Sequence, residues 1–582
     1  MKGIPSKLHV LAVAVCSALL LVQAPAFAGP KAQLDPGRVE IPRPDGTRES
    51  ATQMPSILQL PDTVVVPGVE APPAEMVVNP NDTTRFQVDK VVIRGTTLYA
   101  PAAFSPLTAR LEGHRVTLGE VNAVVAQITQ RYRQAGFLLA RAYLPEQRLE
   151  NGELVIQVFE GRVNEVKLQG DSNKAVQRYA DNIRREVPPK SATIERNLLL
   201  MNDLSGQQSR ATLAASPVEQ GTDLIVDNQI RKYEGFFGFD NRDSRYFGPW
   251  QVYGGVGVND LTGHGDHLGI RAGQSVEGDK MTFFEGQYDL PVGGQGDVVS
   301  FLAQHNDGHA DTYSFLNANS SGDTFAVRIT RPWVRQRDQT FKTSAAFTWY
   351  NGKSEYLDDP HNPPSSDDRI RAIRLGASYD FFDDFGGKNL VKAELSKGLK
   401  IMGASQEDRA NPSREGGKTD FTKLQVDAQR LQDLSKIMDG LNLYVAATAQ
   451  TSFGQALLSP EQFGVGGSEF GRGYDPSEIT GDKGFAMKTE LQYNRIHTFR
   501  DYAVPTQYYA FWDFGKVWSE DPNWISSESL SSTGVGAHLQ VYKDTYVSPE
   551  VAFPLTRSVS AKELDDDNGK APRFYLNFLK LF

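Results

Sequence analysis

A single cysteine, Cys16, stands among the 582 residues. It lies inside the one long apolar run, Leu8 to Val22, so the rest of the chain carries no disulfide and passes an oxidising compartment without mispairing. That run, at about 15 residues, falls short of the roughly 20 that span a bilayer as a helix. Lys2 and Lys7 precede it and Ala26-Phe27-Ala28 follows, which reads as a secretory signal peptide over 1–28. Val15 before Cys16, in place of a small residue, argues against lipidation. An excess of positive charge is also missing. The formal charge is −10, and cleavage after Ala28 would lower it to about −12, which disfavours a nucleic-acid partner needing a basic face. Hydrophobic residues make up only 40% and charged ones 23%, so this is no ordinary helical membrane protein. What the chain does have is aromatics (31 Phe, 21 Tyr, 6 Trp) and 52 glycines. Spread over many short alternating segments, these suit an outer-membrane barrel.

Residues 29–84 are proline-rich and without steady period, from Pro36 to Pro80, and read as an extended linker. A short helix fits only between Asp45 and Met54. Residues 85–162 differ. Phe86–Ile93 alternates and stops at Arg94-Gly95, Ala102–Leu111 suggests a first helix, and Leu118–Ala135 a stronger one. Its Val121, Val124, Val125, Ile128 and Tyr132 recur at helical spacing, and Gly136 ends it. Strands Leu138–Leu144 and Leu154–Phe159 follow, giving β-α-α-β-β. Residues 163–230 repeat that order: strand Val163–Leu168, helices Lys174–Arg185 and Ile194–Leu204, strands Arg210–Ala214 and Leu224–Val226.

Beyond about 231 the helical period disappears. Phe284, Gly286, Tyr288 and Leu290 alternate with polar neighbours, as do Phe325, Val327 and Ile329, then Ile373 to Phe381, then Phe485 to Tyr493. Lipid-out, lumen-in barrel strands have this form, although a soluble sandwich alternates as well. The chain ends in an alternating strand, Arg573–Phe582, with a terminal aromatic. At about 22 residues per strand and connection, the region holds roughly 16 strands.

One stretch interrupts the pattern: Gly466-Gly467-Ser468-Glu469-Phe470-Gly471-Arg472-Gly473-Tyr474-Asp475-Pro476, followed by Gly481-Asp482-Lys483-Gly484. So many glycines let a loop pass close to other backbone, with Arg472 carried at its tip. Downstream, Phe511, Asp513 and Gly515 share one strand face, opposite Trp512 and Phe514. If the latter face lipid, Asp513 points into the lumen as an anionic partner for Arg472. The alternative is a surface loop and an unrelated strand acid.

Other chemistries fail on their spacing. Gly417-Lys418-Thr419 misses a P-loop because Pro412 replaces its first glycine, and Gly466–Phe470 misses a nucleophile elbow because Phe470 replaces its last. His264 and His267, His305 and His309, and Asp565-Asp566-Asp567 read as solvated loop residues, so no metal, nucleotide, cofactor or enzymatic activity is expected.

Taken together the chain resembles the TpsB family, outer-membrane transporters of two-partner secretion within the BamA-like superfamily. Gly136-Phe137, Arg141–Gln147, Gly152-Glu153-Leu154 and Val158–Gly161 resemble that family's first POTRA domain. Phe239–Gly248 and Leu261–Asp266 resemble its first barrel segments, Arg472-Gly473-Tyr474 its inward-loop signature, and Phe511, Asp513 and Gly515 its barrel-wall motif. Phe470-Gly471 departs from the valine expected before the arginine. The resemblance implies a mixed fold: two periplasmic α/β POTRA domains (85–162 and 163–230) and a transmembrane antiparallel β-barrel (231–582) with an inward loop near 464–484. It implies that Arg472 and Asp513 pair. It also implies secretion of a large TpsA-type exoprotein, bound unfolded through the POTRA domains, from a barrel that sits in outer-membrane lipid and is inserted by the assembly machinery. An assembly insertase is the alternative, though it usually has more POTRA domains; a passive porin has neither feature. Pro36, Pro42 and Pro44 leave the family's N-terminal plug helix short, shifted or absent.

Overall fold

Thr117 starts the strongest helix of the first α/β module. Its hydroxyl accepts from Glu120 N (3.2 Å) while the Glu120 carboxylate accepts from Thr117 N (2.7 Å), a reciprocal cap. In the computed structural model this module comprises β1 (Arg85–Val88), β2 (Lys90–Arg94), α1 (Ser105–Thr108), β3 (His114–Thr117), α2 (Leu118–Gln134), β4 (Arg141–Tyr143) and β5 (Glu153–Phe159). The structure describes residues 84–582 except 217–220, 279, 311–317, 357–365, 407–410, 415, 500–501, 522–525, 557–558 and 560–570. The expected signal peptide, the proline-rich segment with any plug helix, and Asp565-Asp566-Asp567 lie outside the described residues. Helix α2 buries Val121, Val124, Val125, Ile128 and Tyr132 against Leu154, Ile156 and Val158 of β5. The sheet runs β2–β5–β4, with β2 parallel and β4 antiparallel to β5.

Three local expectations change. The strand expected over 86–93 is two strands, because Asp89 N and Lys90 N both donate to Gly152 O (2.8 and 3.2 Å) and turn the chain. β1 then pairs with β3, a strand absent from the sequence reading. The helix expected over Ala102–Leu111 is a 3₁₀ turn, Pro101–Phe104, and the single turn α1, since Pro106 has no N–H to donate back to the preceding turn and the helix must restart there. The strand expected from Leu138 begins at Arg141, after a turn closed by Ala140 N to Phe137 O (3.1 Å).

Glu160 ties this module together. Its carboxylate accepts from Thr97 N (2.8 Å), Leu98 N (2.9 Å), the Thr97 hydroxyl and the buried Tyr132 hydroxyl (2.8 Å). Burial drives the Glu160 pKa up, but these donors outweigh it and leave it below the ordinary value. A depressed folded pKa stabilises above the unfolded value of roughly 4.3 and that contribution is lost as pH falls through the folded value. Hydrogen exchange on the full chain is therefore expected to show residues 85–161 opening on acidification below about pH 4. Glu160→Gln is expected to cost about 1–3 kcal/mol at neutral pH and to flatten that acid dependence. An unchanged acid profile in the variant would assign the opening to other groups.

The second module repeats the arrangement: β6 (Val163–Gly170), α3 (Lys174–Arg185), α4 (Ser191–Asn202), β7 (Gln207–Ala215) and β8 (Thr222–Ile230). Here β6 is parallel and β7 antiparallel to β8, around its own core of Val176, Tyr179, Ile183, Leu200 and Met201. It grips one rim of the barrel. Asn182 donates to Gly294 O (2.6 Å), Arg196 to Pro332 O (2.6 Å), and Arg335 pairs with Asp203 through two bonds of 2.8 and 2.7 Å.

The barrel closes through sixteen strands, β26 pairing back onto β9. They are β9 (Tyr233–Asp240), β10 (Gln251–Asn259), β11 (His267–Ser275), β12 (Met281–Val292), β13 (Asp297–Ala310), β14 (Ala318–Arg335), β15 (Gln339–Tyr356), β16 (Ser366–Phe382), β17 (Gly387–Gly398), β18 (Thr422–Asp433) and β19 (Leu441–Thr451). After a hairpin that stands apart from the wall, β20 (Phe463–Val465) with β21 (Ile479–Gly481), come β22 (Lys483–Phe499), β23 (Tyr502–Trp518), β24 (Ser527–Tyr542), β25 (Thr545–Pro554) and β26 (Arg573–Leu581). The alternation reads as expected. Phe325, Val327 and Ile329 are each nearly half exposed on the outer face, whereas Arg328 and Thr330 line the interior cavity. Because the second module holds the β12–β13 and β14–β15 turns, strict up-and-down order puts the β19–β22 connection at the opposite rim.

Candidate functional site: the inward loop and its socket

From that far rim the connection between β19 and β22 folds back into the barrel. Gly466 to Phe470, Arg472, Pro476 and Ser477 line an internal cavity of about 670 Å³ together with wall residues such as Arg328, Lys488 and Glu550. The hairpin β20–β21 is held by an apolar patch in which Phe463, Val465, Tyr474 and Ile479 pack on Ala486, Val517 and Leu530 of the wall. This patch explains Gly515, whose face carries Val465: a β-carbon there would collide with the Val465 methyls.

The packed hairpin delivers Arg472 to Asp513. Arg472 Nη2 donates to Asp513 Oδ1 (2.7 Å) and Nε to Oδ2 (3.0 Å), a two-bond pairing reinforced by the backbone N–H groups of Gly471 (3.2 Å) and Arg472 (3.0 Å). The guanidinium also reaches Glu490 (2.7 Å) and Glu550 (3.5 Å), and its carbon stands 3.5 Å from the centre of the Phe511 ring. Tyr575 closes the far side by donating to Arg472 O (2.7 Å). Gly473 is needed because a β-carbon would sit 2.9 Å from Pro554 N and 3.0 Å from Ser532 Cβ. The Tyr474 hydroxyl lies 2.9 Å from Thr556 O and accepts from Thr556 N (3.1 Å), fixing the loop to the β25 end. Thus Arg472, Gly473 and Tyr474 meet Phe511, Asp513 and Gly515 in one place.

Sequence reasoning missed the rest of the socket. Glu490 lies on the inward face already legible in Lys488, Glu490 and Gln492, so an acid on that alternation was the available signal. Glu550 joins Arg472 to Arg242 (3.1 Å) and Tyr509 (2.8 Å). One turn past the tip, Asp475 takes Arg573 through two bonds (2.6 and 2.9 Å) and also pairs with Arg245. No short-range pattern marks these. Of the histidines expected in loops, His267 stands in β11 and His305 and His309 in β13; they bind locally, His267 to Asn259 (2.7 Å), His264 to Thr262 O (3.1 Å), His305 to Asp307 (2.7 Å) and Asp323 (2.8 Å). Among the described residues no three His, Cys, Asp or Glu side chains are grouped to hold a metal.

The profile described as haemolysin secretion/activation protein ShlB/FhaC/HecB matches residues 220–539. The chain belongs to this family. A ShlB-type POTRA domain profile matches residues 86–161, the first α/β module. The heme/hemopexin transporter protein HuxB of Haemophilus influenzae (strain 86-028NP) is 22% identical over 490 residues, covering 81% of this chain and 82% of that protein. The outer membrane transporter CdiB of Dickeya dadantii (strain 3937) is 23% identical over 418 residues, covering 70% and 72%. Among solved structures, CdiB from Escherichia coli superposes with a TM-score of 0.69 at 20% identity, over 88% of this chain and 93% of that one. CdiB from Acinetobacter baumannii gives 0.59 at 14% identity, over 99% and 97%. The ShlB/FhaC/HecB chain described here is an outer-membrane two-partner secretion transporter, with its α/β modules on the periplasmic side and the inward loop entering from outside.

Proposed function

We propose that this transporter captures one large exoprotein, unfolded, on its periplasmic modules and passes it through the barrel as the inward loop is displaced. The observation that carries the reading is the loop itself, pinned across a polar lumen by Arg472 in a three-carboxylate socket. The modules support capture, since each sheet leaves two edge strands, β2 and β4 in the first and β6 and β7 in the second. An extended chain adds to such edges through main-chain bonds that demand little sequence specificity. Relatives of this chain include a heme/hemopexin transporter protein and a hemolysin transporter protein, and a secreted adhesin, haemolysin or similar exoprotein is the matching cargo class. The protein performs no covalent chemistry and uses neither nucleotide nor cofactor; folding of the cargo outside drives export. Lipid surrounds the barrel, and the cell's assembly machinery inserts it.

A cell lacking this protein tests the reading. With the exoprotein encoded beside it expressed, blots of medium and periplasm are expected to show the cargo outside only when the transporter is restored. Cargo held in the periplasm whether or not the transporter is restored, with other barrels failing to assemble in its absence, would instead make it an assembly insertase.

A further inference from the structure

The loop that carries Arg472 meets the wall at a second point of opposite sign. Ser459–Glu461 is a short 3₁₀ turn at the entry to β20, and it presents Glu461, fully buried, to two cations of the wall. Arg374 of β16 donates to both Glu461 oxygens (2.6 and 3.3 Å), and Lys423 of β18 lies 2.7 Å from Glu461 Oε2. Lys423 and Gln450 also donate to the Glu461 carbonyl (3.2 and 3.1 Å). Arg374 is itself steadied by Ser396 (2.9 Å). Just before this turn, Leu457 and Leu458 pack on Tyr350, Ile370 and Phe421 of the same side of the barrel. The tip of the loop therefore rests as a cation in an acidic socket on β22, β23 and β25, and its base as an anion in a basic socket on β16 and β18. Both pairs are removed from water, where losing one partner leaves an uncompensated charge.

We propose that Glu461, Arg374 and Lys423 form a second anchor of the inward loop, so that the lumen clears only when base and tip both let go. This rests on the barrel being a gated conduit, and positions the loop rather than touching cargo. Asp482, at the exit of the loop, also holds the entry segment by accepting from Leu457 N (2.7 Å). It holds Arg414 of the β17–β18 connection and Glu520 N (2.7 Å) of the β23–β24 connection, joining the outer connections to one another.

The test uses the full chain in outer membranes, in a Cys16→Ser background, with Leu458→Cys as a reporter buried at the base. Glu461→Gln is expected to raise maleimide labelling of that cysteine at least about threefold, and Arg374→Gln likewise. The double variant should do no more than the larger single one, because they remove one interaction. Arg472→Ala alone should leave the reporter near its parental rate, and adding Glu461→Gln should raise planar-bilayer conductance beyond either change alone. Labelling of Glu461→Gln at the parental rate would overturn the proposal, as would full exposure of the reporter by Arg472→Ala, which would make the base a follower of the tip. If Glu461→Gln failed to assemble, Lys423→Gln keeps the Arg374 pair, and a smaller rise in labelling is expected; no rise would overturn the anchor. Secretion by the unaltered protein is scored separately, so a failed anchor and a failed transporter reading give different results.

Discussion

Arg472→Ala is expected to leave a folded, heat-modifiable barrel in the outer membrane and to lower cargo in the medium at least tenfold, with raised pore conductance. The substitution strands Asp513, Glu490 and Glu550 beside one another with their shared cation gone. Breaking a buried charge pair by removing one partner costs on the order of 3–5 kcal/mol, which shifts the docked-to-released ratio of the loop by about 10² to 5 × 10³. The wall ladders and the outer apolar face do not involve Arg472, so assembly should survive. A released tip closes the lumen less fully, though the base stays held by Glu461, and it no longer returns to one place after each passage. Arg472→Lys should behave close to the alanine variant. An ammonium cannot bond Asp513 with two parallel N–H groups and reach Glu490 with a third on the opposite side of a plane. Asp513→Ala should match Arg472→Ala, and the double variant should be little worse than either. Secretion at the parental level from both single variants would show that the loop's position has no bearing on export.

The part of this socket that could be read in the sequence is the part fixed by period. Alternation of two decided that Asp513 faces inward and Trp512 outward, and the glycines around Arg472 marked a loop able to approach a wall. Period says which face a residue takes and nothing about which strand stands across the lumen. Arg242 and Glu550 meet from 308 positions apart, and Asp475 and Arg573 from 98, with no local pattern to announce them. The same limit explains the α/β module. Five apolar positions at helical spacing located α2, because a capped amphipathic helix is specified within its own length. The split between β1 and β2 depends on Gly152, which lies far along the chain and comes to meet Asp89 only after folding. The Glu461 base anchor was likewise invisible: an acid after Ser459-Pro460 in a loop looks like any solvated residue until Arg374 and Lys423 are brought around it.

Deleting residues 85–161, with the preceding segment joined directly to the second module, is expected to abolish secretion while leaving the barrel assembled. Assembly should survive because the barrel is gripped by the second module. Asn182, Arg196 and Asp203 make those bonds, whereas Gly136 of the first module accepts from the Ser191 backbone (2.9 Å) and hydroxyl (3.1 Å) of the second. Secretion should fail because capture is the sum of weak terms. A main-chain bond contributes about 0.5–1.5 kcal/mol net, so the five residues of β2 or the three of β4 provide only a few kcal/mol in all. Association consumes several kcal/mol of translational and rotational freedom, so the edges of one module alone hold an extended chain poorly. Two modules in series raise the effective concentration of the second contact, and removing one loses far more than half the binding. Blots of outer membrane, periplasm and medium decide it, with bilayer conductance as the control for an intact loop. Cargo accumulating in the periplasm at parental conductance is the expected result. Export at the parental level would move capture to β6 and β7 of the second module, next to the barrel mouth.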